Sequence, residues 1–155
     1  MITTVTLNAA MDKQYLIDNL ETGTVMRALK VNNTPGGKGL HVANVATILN
    51  EDCIVTGLLG GKSGEFIEES IKEYGIKQDF VKISGETRSC LAFITDDLMQ
   101  TEVLEPGPEV SELEQQLFLD KYMKLLGKAT IVVASGSIPR NVPKNFYKKL
   151  IEIAN

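Results

Sequence analysis

The sequence has few residues from which a metal site, a catalytic triad or a disulfide framework could be built. Among its 155 residues are one histidine, His41, and two cysteines, Cys53 and Cys90. Both cysteines lie in apolar runs without metal-ligand spacing, which predicts buried, reduced thiols. His41 has no metal-spaced Cys, Asp or Glu nearby and no serine in a G-x-S-x-G context, so zinc sites and Ser-His catalysis are disfavoured. We expect no metal ligands in this chain.

Basic runs and long apolar runs are also missing. The formal net charge is −4, which argues against nucleic acid or a membrane surface as the main partner. A few local lysines and arginines would still suffice for one phosphate group. The amino-terminal residues alternate like a strand, so we expect neither a signal peptide nor a membrane span. The sequence thus predicts a cytoplasmic protein.

What is present is typical of one globular domain with a single core. Apolar residues make up 43% and charged residues 23% of the sequence, close to globular averages. Continuous apolar runs predict strongly buried strands at residues 2–7, 53–59 and 129–137. Amphipathic runs predict helices at residues 38–49, 64–75, 111–127 and 143–155. This alternation predicts an α/β fold with a mostly parallel sheet covered on both faces.

Helical periodicity predicts which side chains face that core. In the first helix the expected inward face is Val42, Val45, Ala46 and Leu49. In the second helix it is Phe66, Ile67, Ile71 and Tyr74. The third helix begins with a capping box in which Ser111 and Glu114 satisfy each other's backbone groups.

Several short segments have polar faces that do not fit inside a covered core. They predict strands at residues 13–20, 25–33, 78–83, 89–95 and 101–105. The last two are separated by a polar stretch of a length suited to a hairpin. We expect such strands to form a small sheet beside the main one, acting as a lid.

The segment PGGKG, residues 35–39, precedes a predicted helix N-terminus, where free N–H groups and the helix dipole favour an anion. Lys38 would help to neutralise a phosphate there, whereas the alternative is a glycine-rich turn with a solvated lysine. A second segment, GLLGGKS at residues 57–63, is similar to a nucleotide P-loop. The required first glycine falls on Thr56, so the P-loop pattern fails by one residue and a tight strand-to-helix turn is favoured.

Three charged residues are candidates for ligand binding, each with an ordinary alternative. Asp12 follows the first strand, where it would accept hydrogen bonds from sugar hydroxyls or serve only as a turn residue. Arg88 precedes a strand and has the fork geometry that suits phosphate, although a lone arginine is more often a surface charge. Arg27 is a weaker candidate.

Six separated segments, in this order, resemble the N-terminal half of the ribokinase-like (PfkB) sugar kinases, most closely the tagatose-6-phosphate kinase and 1-phosphofructokinase branch. They are TVTLNAAMD, PGGKGLHVA, TGLLGGKSGEFI, GETRSCLAFI, QTEVLEPGPEV and VVASGSIPRNVP. The resemblance covers essentially the whole chain, and the fourth and fifth segments favour the tagatose-6-phosphate kinase side. It implies a ribokinase-like three-layer α/β fold with a β lid whose strands lie at about 13–34 and 88–106.

The resemblance also implies ATP- and Mg²⁺-dependent phosphorylation of a ketohexose phosphate, either tagatose 6-phosphate or fructose 1-phosphate. Asp12 would hold sugar hydroxyls, and the backbone of Gly36 and Gly37 would border the sugar. The existing phosphate would be faced by the side chains of Lys38, Arg88 and, as a further candidate, Arg27. Ser137 would line the same pocket. The lid strands would close over the sugar and are candidates for a homodimer interface.

Two departures from the family pattern are important. The family has asparagine, a sugar-contacting residue, where this chain has His41; an imidazole has a different reach from an amide, so we expect altered or weakened sugar binding. The chain also matches only the sugar-binding half, at residues 1–155, and stops after a helix where another strand is expected. The other half of the family fold holds the ATP site and a Gly-Ala-Gly-Asp motif whose aspartate is the general base. We therefore expect a truncated chain with no catalytic residue and no kinase activity alone, or else a non-catalytic remnant that binds a sugar phosphate or a partner subunit through the lid.

Overall fold

The computed structural model describes all 155 residues, from Met1 to Asn155. Nine strands and four helices follow one another along the chain. In order they are β1 (Ile2–Thr6), β2 (Ala10–Leu16), β3 (Lys30–Gly36), α1 (Lys38–Ile48), β4 (Cys53–Leu59), α2 (Gly61–Glu73), β5 (Lys77–Gln78), β6 (Val81–Lys82), β7 (Arg88–Ile94), β8 (Gln100–Leu104), α3 (Glu112–Leu126), β9 (Ile131–Ala134) and α4 (Phe146–Ala154). None of the helices combines the length and apolar character that crossing a membrane requires.

The main sheet is parallel and has the strand order β5-β4-β1-β9, with β6 also paired to β4. The β-branched residues of β1 occupy its buried centre, where Ile2 lies opposite Cys53 on one side and Ile131 on the other. One core cluster packs α1 and α2 against one face of the sheet, and a second packs α3 and α4 against the opposite face. The prediction of a three-layer α/β fold with a mostly parallel sheet is confirmed.

The polar-faced strands form a second sheet with the order β3-β2-β7-β8. Strands β2 and β7 run parallel, with Asp12 opposite Cys90, whereas β7 and β8 form the predicted hairpin. The rings of Tyr15 and Phe93 stack across the parallel pair with centroids 5.4 Å apart. This sheet therefore has one face of stacked aromatic side chains and one face with Asp12 and Cys90, which alternate with them.

The predicted bounds of the short strands are partly wrong. Strand β2 begins three residues earlier than expected and ends at Leu16, and β3 begins only at Lys30. The apolar residues between them suggested strand structure, yet the connection over residues 18–29 is exposed. The predicted strand at 78–83 is divided into β5 and β6, because each pairs with a different part of β4.

The predicted inward face of α1 is wrong except for Ala46, which is buried as expected. The buried residues of this helix are Gly39, Leu40, Ala43 and Ala46. Val42, Val45 and Leu49 are 37%, 54% and 66% exposed. A Cβ on Gly39 would collide with the carbonyl oxygen of Val5, so the helix lies so close to β1 that only its small-residue face fits against the sheet.

The third predicted buried strand is shorter and more exposed than expected. Strand β9 covers only Ile131–Ala134, and its end residues are exposed. It lies at the edge of the sheet and pairs with β1 alone. An apolar run shows that a strand is suited to burial. Strand β9 is nevertheless partly exposed, because only β1 lies beside it.

Three smaller expectations are also wrong. Tyr74 is 50% exposed because α2 ends beside it. Cys53 is buried as predicted, but Cys90 is only partly buried. Helix α4 begins at Phe146 and not at Pro143, since the three residues before Phe146 form a turn in which the Phe146 N–H donates to the Pro143 carbonyl.

The predicted capping box at the start of α3 is confirmed and extends to a neighbouring loop. The Glu114 carboxylate accepts hydrogen bonds from the backbone N–H groups of Ser84 and Ser111, at 2.7 and 2.8 Å. It also accepts bonds from both serine hydroxyls, at 3.0 and 2.7 Å. Burial alone would raise the pKa of Glu114, but these four donors lower it from 4.5 to about 2.

We expect Glu114→Gln to destabilise the fold by about 2 kcal/mol at neutral pH, because an amide cannot accept all four bonds. The pKa of the folded state is depressed, so this stabilisation is present above pH 4.5 and is lost as the pH falls towards 2. Urea unfolding of both proteins between pH 7 and pH 3 measures the difference. A difference in unfolding free energy between the two proteins that does not become smaller at low pH would contradict stabilisation by the ionised Glu114 carboxylate.

Candidate functional site

A cavity of about 570 Å³ lies between the two sheets, at the carboxyl ends of β1 and β9. Six of the eight predicted site residues line it, namely Asp12, Gly37, Lys38, His41, Arg88 and Ser137. The start of α1 forms one side, and the polar face of the second sheet forms another. The position is the one expected for ligands of parallel α/β folds, because strand ends and helix starts converge there.

The glycines of the PGGKG segment are required by close packing at this cavity. A Cβ on Gly36 would collide with the Asp12 carboxylate, and one on Gly37 would lie 2.6 Å from the Thr6 methyl group. Gly37 also has φ 136°, a conformation that other residues rarely adopt. Gly36 does not line the cavity, but its lack of a side chain makes room for the Asp12 carboxylate.

The chain has two glycine-led helix starts, and only one is open to an anion. At α2, the Glu86 carboxylate accepts bonds from the backbone N–H groups of Lys62 and Ser63, at 3.1 and 2.7 Å. This carboxylate fills the place where a P-loop would hold phosphate, which supports the rejection of a nucleotide site from the glycine spacing. The α1 N-terminus has no side-chain cap and borders the cavity through Gly37 and Lys38.

Arg88 is fixed at the point where both sheets meet. Its guanidinium donates to the Glu105 carbonyl at 3.0 Å, and to the Asn8 carbonyl and the Ser137 hydroxyl, both at 3.4 Å. All three acceptors are neutral. None of the six ion pairs of the chain includes Arg88 or Lys38. Two cations without a carboxylate partner therefore face one cavity.

Asp12 is the half-buried carboxylate of the cavity. Burial raises its pKa above the ordinary value, the nearby Glu102 adds to this, and His41 and Arg88 act in the opposite direction. It takes part in no ion pair of the chain. An ionised Asp12 retains free acceptor sites for hydroxyl groups.

His41 lies in the first turn of α1, with its backbone N–H bonded to the Gly37 carbonyl at 2.9 Å. Its side chain is exposed and borders the cavity near Asp12. It is therefore placed to contact a ligand and does not belong to the core.

The structure does not bring Arg27 to this cavity. The residue is exposed in the connection between β2 and β3 and is absent from the lining. Sequence reasoning also missed polar lining residues from the second sheet, namely Gln14, Cys90, Gln100 and Glu102. Gln14 lies two residues beyond Asp12 and shares its face, so strand alternation was an available signal.

The residues present do not fit an ATP and Mg²⁺ site. No group of three or more His, Cys, Asp or Glu side chains is placed to hold a metal ion. The one turn similar to a P-loop is occupied by Glu86. The cavity supplies two carboxylates, Asp12 and Glu102, two unpaired cations and an open helix N-terminus. Together these groups suit a small ligand that carries both hydroxyl groups and an anion.

Comparison with known proteins identifies the fold and the family of the chain. Among the solved structures that match 99% of the chain and 50% of their own chains are two phosphofructokinase-type proteins. A Thermotoga maritima protein described as a possible 1-phosphofructokinase is 32% identical with a TM-score of 0.91. Phosphofructokinase-2 of Escherichia coli, determined in complex with fructose-6-phosphate, is 24% identical with a TM-score of 0.92.

Ribokinase of Thermotoga maritima is a more distant match, at 22% identity and a TM-score of 0.67 over 84% of this chain and 43% of its own. The chain thus spans about half the length of the phosphofructokinases that it matches. A family model described as pfkB family carbohydrate kinase matches residues 3–155, almost the entire sequence. The chain belongs to the pfkB family of carbohydrate kinases.

Proposed function

We propose that this chain supplies the sugar-phosphate site of an ATP-dependent ketohexose-phosphate kinase. The observation that carries the proposal is the convergence of Asp12 with two unpaired cations, Lys38 and Arg88, on one cavity at an open helix N-terminus. The carboxylate would accept hydrogen bonds from sugar hydroxyls. The cations and the N–H groups of α1 would bind the phosphate that the sugar already carries.

The substrate we propose is tagatose 6-phosphate or fructose 1-phosphate, giving a 1,6-bisphosphate. Support comes from the solved relatives, one described as a possible 1-phosphofructokinase and one determined with fructose-6-phosphate. The segments GETRSC and QTEVLEPGPEV favour the tagatose sugar. The second sheet, roughly residues 13–34 and 88–106, would act as the lid that excludes water from the reacting groups.

The cavity proposal is tested by calorimetric titration of the chain with tagatose 6-phosphate, fructose 1-phosphate and fructose 6-phosphate. We expect saturable binding at one site per chain, tightest for one of the first two sugars. Unphosphorylated tagatose is the matched control, since it keeps the hydroxyls and lacks the anion. A folded chain that binds none of the three phosphates would overturn the proposal.

We expect no ATP-dependent turnover from the 155 residues alone. ATP and Mg²⁺ would be held by residues outside this chain, because the residues present do not fit them. Phosphoryl transfer depends on positioning and on stabilisation of the transferring charge, which the sugar site cannot supply. A coupled assay for ADP release with each sugar phosphate measures this. Sugar-dependent release of ADP above background would contradict it.

His41→Asn is expected to increase affinity for the sugar phosphate by about 3- to 10-fold, as one added neutral hydrogen bond would. The amide offers both donors and an acceptor at the position where His41 borders the cavity. Calorimetry on both proteins in the same buffer makes the comparison. Unchanged or weaker binding would show that His41 does not reduce the affinity for the sugar phosphate.

The second candidate function is a non-catalytic subunit that pairs through the second sheet. The edge strands of that sheet expose apolar side chains, with Val31 48% and Val103 52% exposed. Such edges favour association with another chain. Sedimentation of the chain and of Val103→Lys distinguishes a homodimer through this sheet from a monomer, since the added charge would dissociate the dimer.

A further inference from the structure

Asn8 is a buried polar residue at the place where the carboxyl end of β1 meets the loop after β9. It lies two residues beyond the end of β1 and is only 7% exposed. Its side-chain Nδ2 donates to the Ser137 hydroxyl at 2.9 Å, across 129 positions of the chain. Both residues line the cavity. Asn8 therefore connects the central strand of the main sheet to the loop that carries Ser137.

The Ser137 hydroxyl accepts two hydrogen bonds and donates none within the chain. Its partners are Asn8 Nδ2 at 2.9 Å and Arg88 Nη2 at 3.4 Å, and both are nitrogen atoms that can only donate. A hydroxyl oxygen has two lone pairs and one proton, so these two bonds occupy both lone pairs. Ser137 is exposed at the cavity wall. Its proton is therefore available to an acceptor in the cavity, beside the Arg88 guanidinium.

Packing confines the Asn8 side chain to this place. A Cβ on Gly107 would lie 2.3 Å from Asn8 Oδ1, so the loop after β8 lies directly against the amide. The Gly107 carbonyl accepts a hydrogen bond from Arg140 Nε at 2.9 Å, which holds that loop. Asn8 Oδ1 is buried and accepts no hydrogen bond. The bond to Ser137 is thus the one polar contact of the Asn8 side chain.

We propose that Asn8 is a positioning residue for phosphate binding: its amide donates to Ser137 and so directs the Ser137 hydroxyl proton towards a phosphate oxygen of the ligand. The inference rests on the proposed sugar-phosphate site and adds a neutral donor beside Arg88. The direction of the Asn8 bond is decisive, because an acceptor oxygen in place of Nδ2 would take the Ser137 proton for itself. The Asn8 backbone carbonyl, which accepts from Arg88 Nη2 at 3.4 Å, stays in place when only the side chain is substituted.

Calorimetric titration with tagatose 6-phosphate and with unphosphorylated tagatose tests the proposal. Ser137→Ala should lower the affinity for the phosphorylated sugar about 10-fold, as expected for one lost hydrogen bond to a charged group. Asn8→Ala should lower it about 5-fold, since the hydroxyl keeps its proton but loses its orientation. Asn8→Asp should lower it by at least about 10-fold, because the carboxylate accepts the Ser137 proton. Affinity for unphosphorylated tagatose should be nearly unchanged in all three variants.

A double substitution separates positioning from a structural effect. In the Ser137→Ala chain, Asn8→Ala should cause no further loss of affinity, because the hydroxyl that it orients is absent. Thr56→Val is the matched control for the loss of a buried polar group. The Thr56 side chain is fully buried, and its hydroxyl donates to the Asp79 carbonyl at 2.7 Å outside the cavity. This control should leave the affinity for both sugars unchanged.

Full affinity for tagatose 6-phosphate in Ser137→Ala would overturn the inference, as would a further loss from Asn8→Ala in that background. Equal losses for both sugars would make Asn8 a structural residue only. If Asn8→Ala does not fold, the nearly isosteric Asn8→Asp decides, and binding as tight as in the unchanged chain would contradict the inference. An unchanged chain that binds no sugar phosphate would overturn the proposed function and this inference together, whereas the other outcomes leave the proposed function standing.

Discussion

Replacing Arg88 with glutamine should lower the affinity of the chain for the proposed ketohexose phosphate by about 100-fold. The guanidinium faces the cavity without a carboxylate partner, and its three acceptors are neutral. Two charge-assisted hydrogen bonds to a phosphate, at about 1.5 kcal/mol each, account for a loss of this size. Calorimetry with tagatose 6-phosphate at constant ionic strength measures it.

A loss of affinity that is confined to the phosphorylated sugar identifies a contact between Arg88 and the phosphate. Affinity for unphosphorylated tagatose should be nearly unchanged in the variant, because only the anion loses its partner. Arg140→Gln is the control protein: that arginine donates to the Gly107 carbonyl at 2.9 Å near the same loop but does not line the cavity. Equal losses for both sugars would mean that Arg88 only holds the two sheets together. Thermal unfolding of both variants identifies such a structural effect.

Replacing Asp12 with asparagine is expected to lower sugar-phosphate affinity by about 30- to 100-fold. The amide is nearly isosteric, so Gly36 still accommodates it, but one of the two acceptor oxygens becomes a donor. Loss of hydrogen bonds from hydroxyls to a charged acceptor costs about 2 to 3 kcal/mol. Here unphosphorylated tagatose should lose affinity as well, whereas inorganic phosphate should not. Asp18→Asn, at an exposed position beyond β2, is the control.

The pH dependence of binding gives a second measurement of the Asp12 role. Burial raises its pKa, so protonation begins at a higher pH than for an ordinary aspartate. Affinity for unphosphorylated tagatose, which carries no titrating phosphate, should therefore fall as the pH is lowered towards that raised pKa, and it should fall less for Asp12→Asn over the same range. Parallel pH profiles for the two proteins would contradict hydroxyl binding by the carboxylate.

The layered fold was predictable because its elements differ in periodicity. Continuous apolar runs identified β1 and β4, and Ser111 with Glu114 marked the start of α3. The face of α1 was not predictable from the helix alone, since it has two apolar sides. Gly39 decides between them through its approach to Val5, a contact between residues distant in sequence. The exposure of β9 was missed for a similar reason, because it depends on what lies beside the strand.

The candidate site was predictable where it rests on strand ends and helix starts. These features pointed to Asp12 and Lys38, because strand ends and helix starts converge in parallel folds, whereas the place of Arg88 at the phosphate came from the family resemblance. Arg27 was misplaced since no periodicity fixes a residue in a long exposed connection. Glu102 was missed because its position depends on the pairing of β8 with β7, where it lies opposite Ala92.

The carboxylate of Glu86 has a practical consequence for every binding measurement on this chain. This carboxylate is an internal competitor for anions at the α2 N-terminus, so we expect buffer phosphate or sulfate to compete with the proposed sugar phosphate at α1 only. Inorganic phosphate should then raise the apparent dissociation constant linearly with phosphate concentration, starting from the value without phosphate, as expected for one competing anion per chain. Removing the competitor with Glu86→Gln would add a second, weaker class of anion sites and make the same titration biphasic.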